Sequence, residues 1–358
     1  MSDNSYSTGF GPSTPGALNL ISGQTNGAIN ASTATFAVVD GGAGSLTAVS
    51  DADPAGDVCS SSANFSMKGQ NVGDLLTAAG VSWGSFMGGF DLTITNPNGT
   101  AGCKRSSTGL PGTTADYIPH HAWFQYYAST ANPSHTRPAS LAEIGHAGPA
   151  NHEYDLNDFY AAVKAGNFPA VSFLKAQAYQ DGHAGYSDPL DEQTFLVNVV
   201  NLLESRPEWD STAVVIMYDD SDGWYDHQIG PILNQSHGTA DALTGAGLCG
   251  NAADSTALPG VDLANAHALG RCGLGPRQPM LIVSPWAKQN FVDHSVTDQS
   301  SVLRFIEDNW LQGQRIGQGS FDALTNSITQ MFDFDNAGRN HKLFLDPGTG
   351  QVLESDSE

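Results

Sequence analysis

Three short apolar runs constrain this chain more than any other feature: AVSFL at 170–174, AVVIM at 213–217 and PMLIV at 279–283. A strand with one wet face alternates apolar and polar residues, so a nearly continuous apolar run requires cover on both faces. The cover is legible too. LNDFYAAVKAG (156–166) places Leu156, Phe159, Tyr160 and Val163 on one helical face, with Asp155 or Asn157 near the cap and Gly166 as the stop. DEQTFLVNVVNLLESRPEW repeats the pattern through Phe195, Val199, Leu202 and Leu203 and breaks before Pro207, and SSVLRFIEDNWL (300–311) is a third amphipathic helix. NVGDLLTAAG reads as a shorter helix with Leu75, Leu76 and Ala79 as its stripe, VSWGSFMGG as a strand, and HAWFQYYAS as a short aromatic helix. Short β-prone runs with glycine turns fill 34–50, and polar loops fill 51–66 and 93–115. The pattern predicts an α/β fold, with a mostly parallel central sheet, helices on both faces and long loop insertions such as 230–275. One domain over 1–345 and an acidic tail over 346–358 account for the chain.

The 37 acidic and 14 basic residues give a formal charge of −23, which excludes a cationic nucleic-acid-binding face. A phosphate-bearing ligand would need local cations or a metal. No run approaches eighteen apolar residues, so stable membrane insertion is not expected. Cys59 with Cys103 and Cys249 with Cys272 form two local pairs in loop-like surroundings. Their spacing is not that of a zinc ribbon. Two disulfides in an oxidising compartment, or four free thiols, are the readings open.

Four segments carry groups suited to chemistry. YDDSDGWYDH follows the AVVIM strand with Asp219, Asp220, Asp222, Asp226 and His227, offering hard oxygen ligands to a divalent ion or merely an acidic turn. In an open α/β sheet, ligands sit beyond the carboxyl ends of the strands, where this cluster stands. DYIPHHAWFQYY places His120 and His121 side by side, able to donate to a phosphate oxygen or to protonate a leaving group, or simply to face solvent. LKAQAYQDGHAGYSDP carries Lys175 at a strand end and His183 between small residues. FGPSTPGALNLISG sets Ser13 and Thr14 between prolines before a helical run, as an N-cap or as a nucleophile favoured by the helix start. No phosphate-binding GxxxxGK[ST] loop, GxSxG elbow or HExxH motif is present.

Taken together and in this order, these segments and RCGLGPRQPMLIVSPWAKQNFVDHSVTDQSSVLRFIEDNW resemble the bacterial phosphoesterase family of phospholipases C and acid phosphatases, within the alkaline-phosphatase-like superfamily. The wording GPSTPGALNLISG and YDDSDGWYDH is nearer the acid-phosphatase branch. The resemblance implies a phosphoric ester hydrolase acting through a phosphoserine, with Ser13 as nucleophile and Thr14 as second candidate. It implies one divalent ion (Mg, Ca, Mn or Zn) on Asp219, Asp220 and Ser13, and a phosphate pocket lined by His120, His121 and His183, with His227 and Asp222 close by. The partner expected is a phosphate ester or a phospholipid head group, in a secreted or periplasmic setting. The aromatics Trp83, Phe86, Trp123, Phe124 and Trp224 would serve as a lipid-facing rim or as core. Family members also carry an N-terminal strand ending in a Glu-Asn pair that supplies two more ligands. This sequence shows no such pair upstream of Ser13, so a non-catalytic binding module of the same fold is the alternative expectation.

Overall fold

The computed structural model describes residues 1–40, 46–221, 226–228, 230–231, 273–335 and 342–355. The chain opens with a two-residue strand β1 (Ser5–Tyr6) and enters helix α1 (Ser13–Ser22). Every residue of α1 except Leu20 is buried, and the helix stops at Gly23, whose φ of 61° is the left-handed turn that glycine adopts without penalty. Strands β2 (Asn26–Ile29), β3 (Val38–Asp40), β4 (Leu46–Ala48), β5 (Asp53–Pro54) and β6 (Asn64–Met67) then form a five-stranded sheet in the order β3-β4-β2-β6-β5. All its pairings are antiparallel except β5 with β6. The loop expected over 51–66 therefore contributes sheet.

Helix α2 (Val72–Ala78) is opened by a capping box, Asn71 with Asp74, and leads to the wholly buried strand β7 (Trp83–Met87). Its stripe is Val72, Leu75 and Leu76, whereas Ala79 is exposed just past the last turn. A small hairpin, β8 (Ser106–Thr108) with β9 (Thr113–Ala115), interrupts the polar loop expected at 93–115. Strand β10 (Glu153–Asp155), helix α3 (Leu156–Ala165) and strand β11 (Val171–Lys175) complete a parallel sheet, β10-β7-β11. Asp155 caps α3 with Asp158 as its box partner, and Gly166 ends it. Helix α4 (Pro189–Glu204) leads to β12 (Val214–Ile216), which pairs antiparallel with β13 (Leu281–Val283). Strand β14 (Thr297–Asp298) lies parallel to β1, and helix α5 (Ser300–Trp310) follows it and packs on α1.

The α/β expectation holds, with helices and several sheets in alternation. The single, mostly parallel sheet does not appear as one hydrogen-bonded ladder among the described residues. The parallel core is three strands wide, and β13 reaches β12 through a long excursion, which does not impose the parallel sense that a crossover helix does. Between β11 and β12 lies a cavity of about 830 Å³, walled by Val171, Phe173, Val215 and Met217 together with Phe195 of α4 and Phe305 of α5. Lys175 at the end of β11 meets Asp219 just beyond β12, so the two strands end on the same side of this cavity.

The aromatic segment after His121 is two 3-10 turns, Pro119–His121 and Trp123–Tyr126, rather than an α-helix. Pro119 opens the first, and the consecutive aromatics are buried on all sides instead of along one stripe. Trp83, Phe86, Trp123 and Phe124 are core residues, while Trp224 lies outside the described residues. Residues 346–355 do not form a loose tail. Strands β15 (Leu343–Leu345) and β16 (Val352–Ser355) make a hairpin tied to α4, where Asn201 donates to the Leu345 carbonyl and accepts its N–H. Cys59 and Cys103 are joined in a disulfide across 44 residues, and Cys249 and Cys272 lie outside the described residues.

Candidate active site

Five segments converge at the carboxyl ends of β11 and β12. The first is the start of α1. Pro12 occupies the cap position and no side chain caps the helix, so the Ser13 hydroxyl is not spent on the backbone. It donates instead to Asp220 Oδ2, 2.8 Å away and 207 residues on. The neighbouring Thr14 hydroxyl turns the other way, to the His120 carbonyl at 3.2 Å, and its backbone N–H donates to Asp51 at 2.9 Å. Of the two hydroxyls, Ser13 is the one at the carboxylates.

The carboxylate segment is held against α1 by backbone contact. A Cβ placed on Gly16 would lie 1.7 Å from the Asp219 carbonyl oxygen, so only glycine lets the helix approach this closely. From the other side the buried Gln299, just before α5, donates to the carbonyls of Tyr218 (3.1 Å) and Asp219 (2.5 Å) and accepts the Thr8 N–H (3.1 Å). One amide thus joins the carboxylate segment to the strand that leads into Ser13.

Asp219 accepts from Lys175 Nζ at 2.9 Å, with both side chains largely buried. Burial opposes the lysine's charge, but Asp219, Asp181 and Asp220 outweigh it and raise its pKa, so the ammonium is retained. Asp181, two residues before His183, is buried 3.5 Å from His121 Nδ1. Burial raises its carboxyl to about 6 against the opposing pull of Lys175. His121 is pushed well below the usual histidine range, first by burial and then by Lys175, His120 and His183. This favours the neutral imidazole, and its buried Nε2 has no hydrogen-bond partner among the described residues. Its ring meets His120 edge-on at 4.6 Å, and His120 Nδ1 faces Asp53 Oδ1 at 3.6 Å. Burial pushes the Asp53 carboxyl up, but hydrogen bonds from His120 and Ser61 win and hold it below the ordinary range. His183 is half-buried and stacks on Tyr186 at 4.1 Å. The Gly185 N–H donates to its Nδ1, which places the proton of the neutral ring on Nε2.

Ser13, His120, His121, Asp219 and Asp220 are therefore linked through these contacts, and His183 joins them through Asp181, whose Oδ1 accepts the His183 N–H. His227 is not brought in by any of these contacts. It is exposed beside Asp226, whose carboxylate is taken by Arg277 at 2.6 Å. The reason is local: Arg277 also donates to the Asp3 carbonyl, which fixes this pair at the surface. Asp222 lies outside the described residues.

Five contributors escape a sequence reading. Gly16 and Gln299 carry no motif. Asp51 and Asp53 sit in DADP, where an acidic pair ahead of proline reads as a turn, and Asp181 is hidden by the histidine after it. A second cluster, Asp57, Cys59 and His135, has ligand-like spacing, with its ligand atoms within 4.8 Å of one another. The Cys59 sulfur is committed to the disulfide, and Asp57 already accepts from Tyr117, Gln125 and His135 and from the Cys59 N–H. That network is satisfied without an ion.

The profile of the phosphoesterase family matches residues 1–311. A non-hemolytic phospholipase C of Pseudomonas aeruginosa is 32% identical over 178 residues, 49% of this chain and 25% of that protein. One from Burkholderia pseudomallei is 36% identical over 149 residues, 40% and 19% of the two chains. Phospholipase C A of Mycobacterium tuberculosis is 26% identical over 179 residues, 49% and 32%. The aligned region thus covers a third or less of the length of each relative.

Proposed function

The chain belongs to the phosphoesterase family, and we propose that it hydrolyses a phosphoric ester, with Ser13 as nucleophile and Asp219 and Asp220 holding a divalent ion. The observation that carries this reading is the 2.8 Å hydrogen bond from Ser13 to Asp220 at the buried start of α1. Ser13, Asp219 and Asp220 offer three hard oxygens, which suit Mg²⁺, Ca²⁺, Mn²⁺ or Zn²⁺ better than softer metals. When bound, such an ion would offset phosphate charge and lower the pKa of the Ser13 hydroxyl.

The chain's own residues supply the rest. Asp220 orients the Ser13 hydroxyl, and the α1 N-terminus favours negative charge at that oxygen. Attack on phosphorus expels an alcohol and leaves a phosphoserine, which water then cleaves. His121, kept neutral by burial, and His183, through its Nε2–H, would donate hydrogen bonds to phosphate oxygens, whereas His120, anchored on Asp53, would protonate the leaving alcohol. Phosphomonoesters and phospholipid head groups both present this chemistry, and the similarity to phospholipases C keeps the second in view. The Cys59–Cys103 disulfide supports an oxidising, secreted or periplasmic location. No described helix is long and apolar enough to cross a membrane.

The test is Ser13→Ala, assayed with p-nitrophenyl phosphate and with phosphatidylcholine vesicles in the presence of Mg²⁺ or Mn²⁺. Loss of turnover on whichever substrate the parent cleaves is expected, with the circular dichroism spectrum unchanged. Undiminished turnover refutes the nucleophile. One observation favours the second reading, a binding module: Asp219 is already neutralised by Lys175. A parent chain that takes up phosphate but turns over neither substrate would establish it.

A further inference from the structure

Among the described residues Lys175 is the one lysine or arginine on the wall of the cavity between β11 and β12, and it stands with Asp181, Tyr218 and Asp219. Its stem runs from the last residue of β11, and its ammonium bridges toward β12 to reach Asp219 at 2.9 Å. Neither side chain is more than 14% exposed, so water does little to screen the contact. A second acid, Asp181, lies on the segment that follows β11 and is itself 1% exposed. Lys175 thus stands among the carboxylates of Asp181 and Asp219, in the place where the proposed function puts a divalent ion.

We propose that Lys175 is an exchangeable counter-ion: it holds Asp219 while no metal is bound, and on metal binding it is released to become a donor to the phosphate group of the substrate. The inference rests on the reading of Asp219 and Asp220 as metal ligands. A divalent ion on Asp219 takes over the neutralisation of that carboxylate and repels an ammonium in contact with it. Lysine suits the exchange because its four-carbon stem swings a compact charge without geometric demands on the acceptor. Asp181 remains on the near side to keep the ammonium at the site. A phosphate carrying two negative charges is the acceptor that the released ammonium meets. Lys175 would then have opposite effects on the two ligands, weakening metal binding and strengthening phosphate binding.

The experiment is calorimetric titration of the full chain with MnCl2, then with inorganic phosphate at saturating Mn²⁺, for the parent, Lys175→Gln and Lys175→Arg. Lys175→Gln is expected to bind Mn²⁺ about tenfold or more tightly and phosphate about tenfold more weakly. Lys175→Arg, which keeps the charge, should return Mn²⁺ affinity toward the parent value. Unchanged or weaker Mn²⁺ binding in Lys175→Gln overturns the proposal while leaving the metal site standing. A parent that binds no Mn²⁺ removes the metal reading itself, and this proposal with it. If Lys175→Gln does not fold, Lys175→Met, which keeps the apolar stem, takes its place, and unfolding of both assigns the lysine a structural role and overturns the exchange.

Discussion

Gly16→Ala is the most informative small change in this protein. In an ordinary helix the substitution is favourable, by about 1 kcal/mol, because alanine loses less conformational entropy than glycine. Here the new methyl would meet backbone, 1.7 Å from the Asp219 carbonyl oxygen and 2.4 Å from its carbon. Cβ contacts shorter than 3.0 Å are essentially never found, so α1 and the carboxylate segment must part by about 1.3 Å. The obstacle cannot rotate away, because Gln299 grips that same carbonyl and the one before it. Overpacking of this kind costs about 1–3 kcal/mol, enough to cancel or exceed the helical gain. The cost to the proposed reaction is larger. The separation opens the hydrogen bond from Ser13 to Asp220, and misplacement of a reacting group by about 1 Å can cost about a hundredfold in rate. Thermal unfolding and turnover of the substrate identified for the parent should show a modest drop in Tm beside a drop of about two orders of magnitude in kcat. A variant that is more stable than the parent and equally active would refute the close contact as the reason for glycine.

Two further outcomes follow from groups away from the site. Glu307 of α5, fully buried, has its carboxyl raised from 4.5 to about 9, first by burial and then by Asp322, with Arg315 opposing. A raised folded pKa means the stabilising proton is fully present below the unfolded value and is lost as pH rises through the folded one. Stability should therefore decline between pH 4.5 and 9, by at most about 1.4 kcal/mol per pH unit from this group. Glu307→Gln should flatten that decline in urea melts at pH 6 to 9, and an identical slope would exclude Glu307 as its source. The double change Cys59→Ser with Cys103→Ser frees a 44-residue span, for which loop entropy gives a loss of about 4 kcal/mol. Urea titration checks this, and a midpoint equal to the parent's would show that other contacts hold the two loops without the bridge.

The elements that the sequence made legible are those whose reasons are local. Helices α3 and α4 fall where periodicity and caps put them, because Asp155, Gly166, Asp188 and Pro207 act within a turn of their own positions. Strands β7 and β11 followed from apolar composition. Pairing was not legible, because composition does not say which edge meets which: β12 runs beside β13 in the antiparallel sense, and four of the smaller strands lie in what read as polar loops. Ser13, Asp219, Asp220 and the histidine pair stood out because they are chemically conspicuous. Asp181, Asp53 and Gln299 did not, since acids and amides are common and their meaning lies in what they touch.

The same distinction separates the two adjacent carboxylates. Asp219 and Asp220 lie in a bend past the end of β12, and their partners diverge. Asp220 receives a neutral hydroxyl from α1, while Asp219 receives an ammonium from β11. Their shared backbone is fixed from two further directions, by the Gly16 contact and the Gln299 amide. The divergence divides the labour. The position of Asp220 relative to Ser13 depends on how closely two backbones pack, which no change of charge alters. The charge balance at Asp219 depends on Lys175, which touches its side chain and not the packed backbone. Substitutions at Gly16 and Gln299 should therefore act on geometry and substitutions at Lys175 on ion and phosphate affinity, so their effects should combine additively unless one displaces the carboxylate segment far enough to take Asp219 out of the lysine's reach.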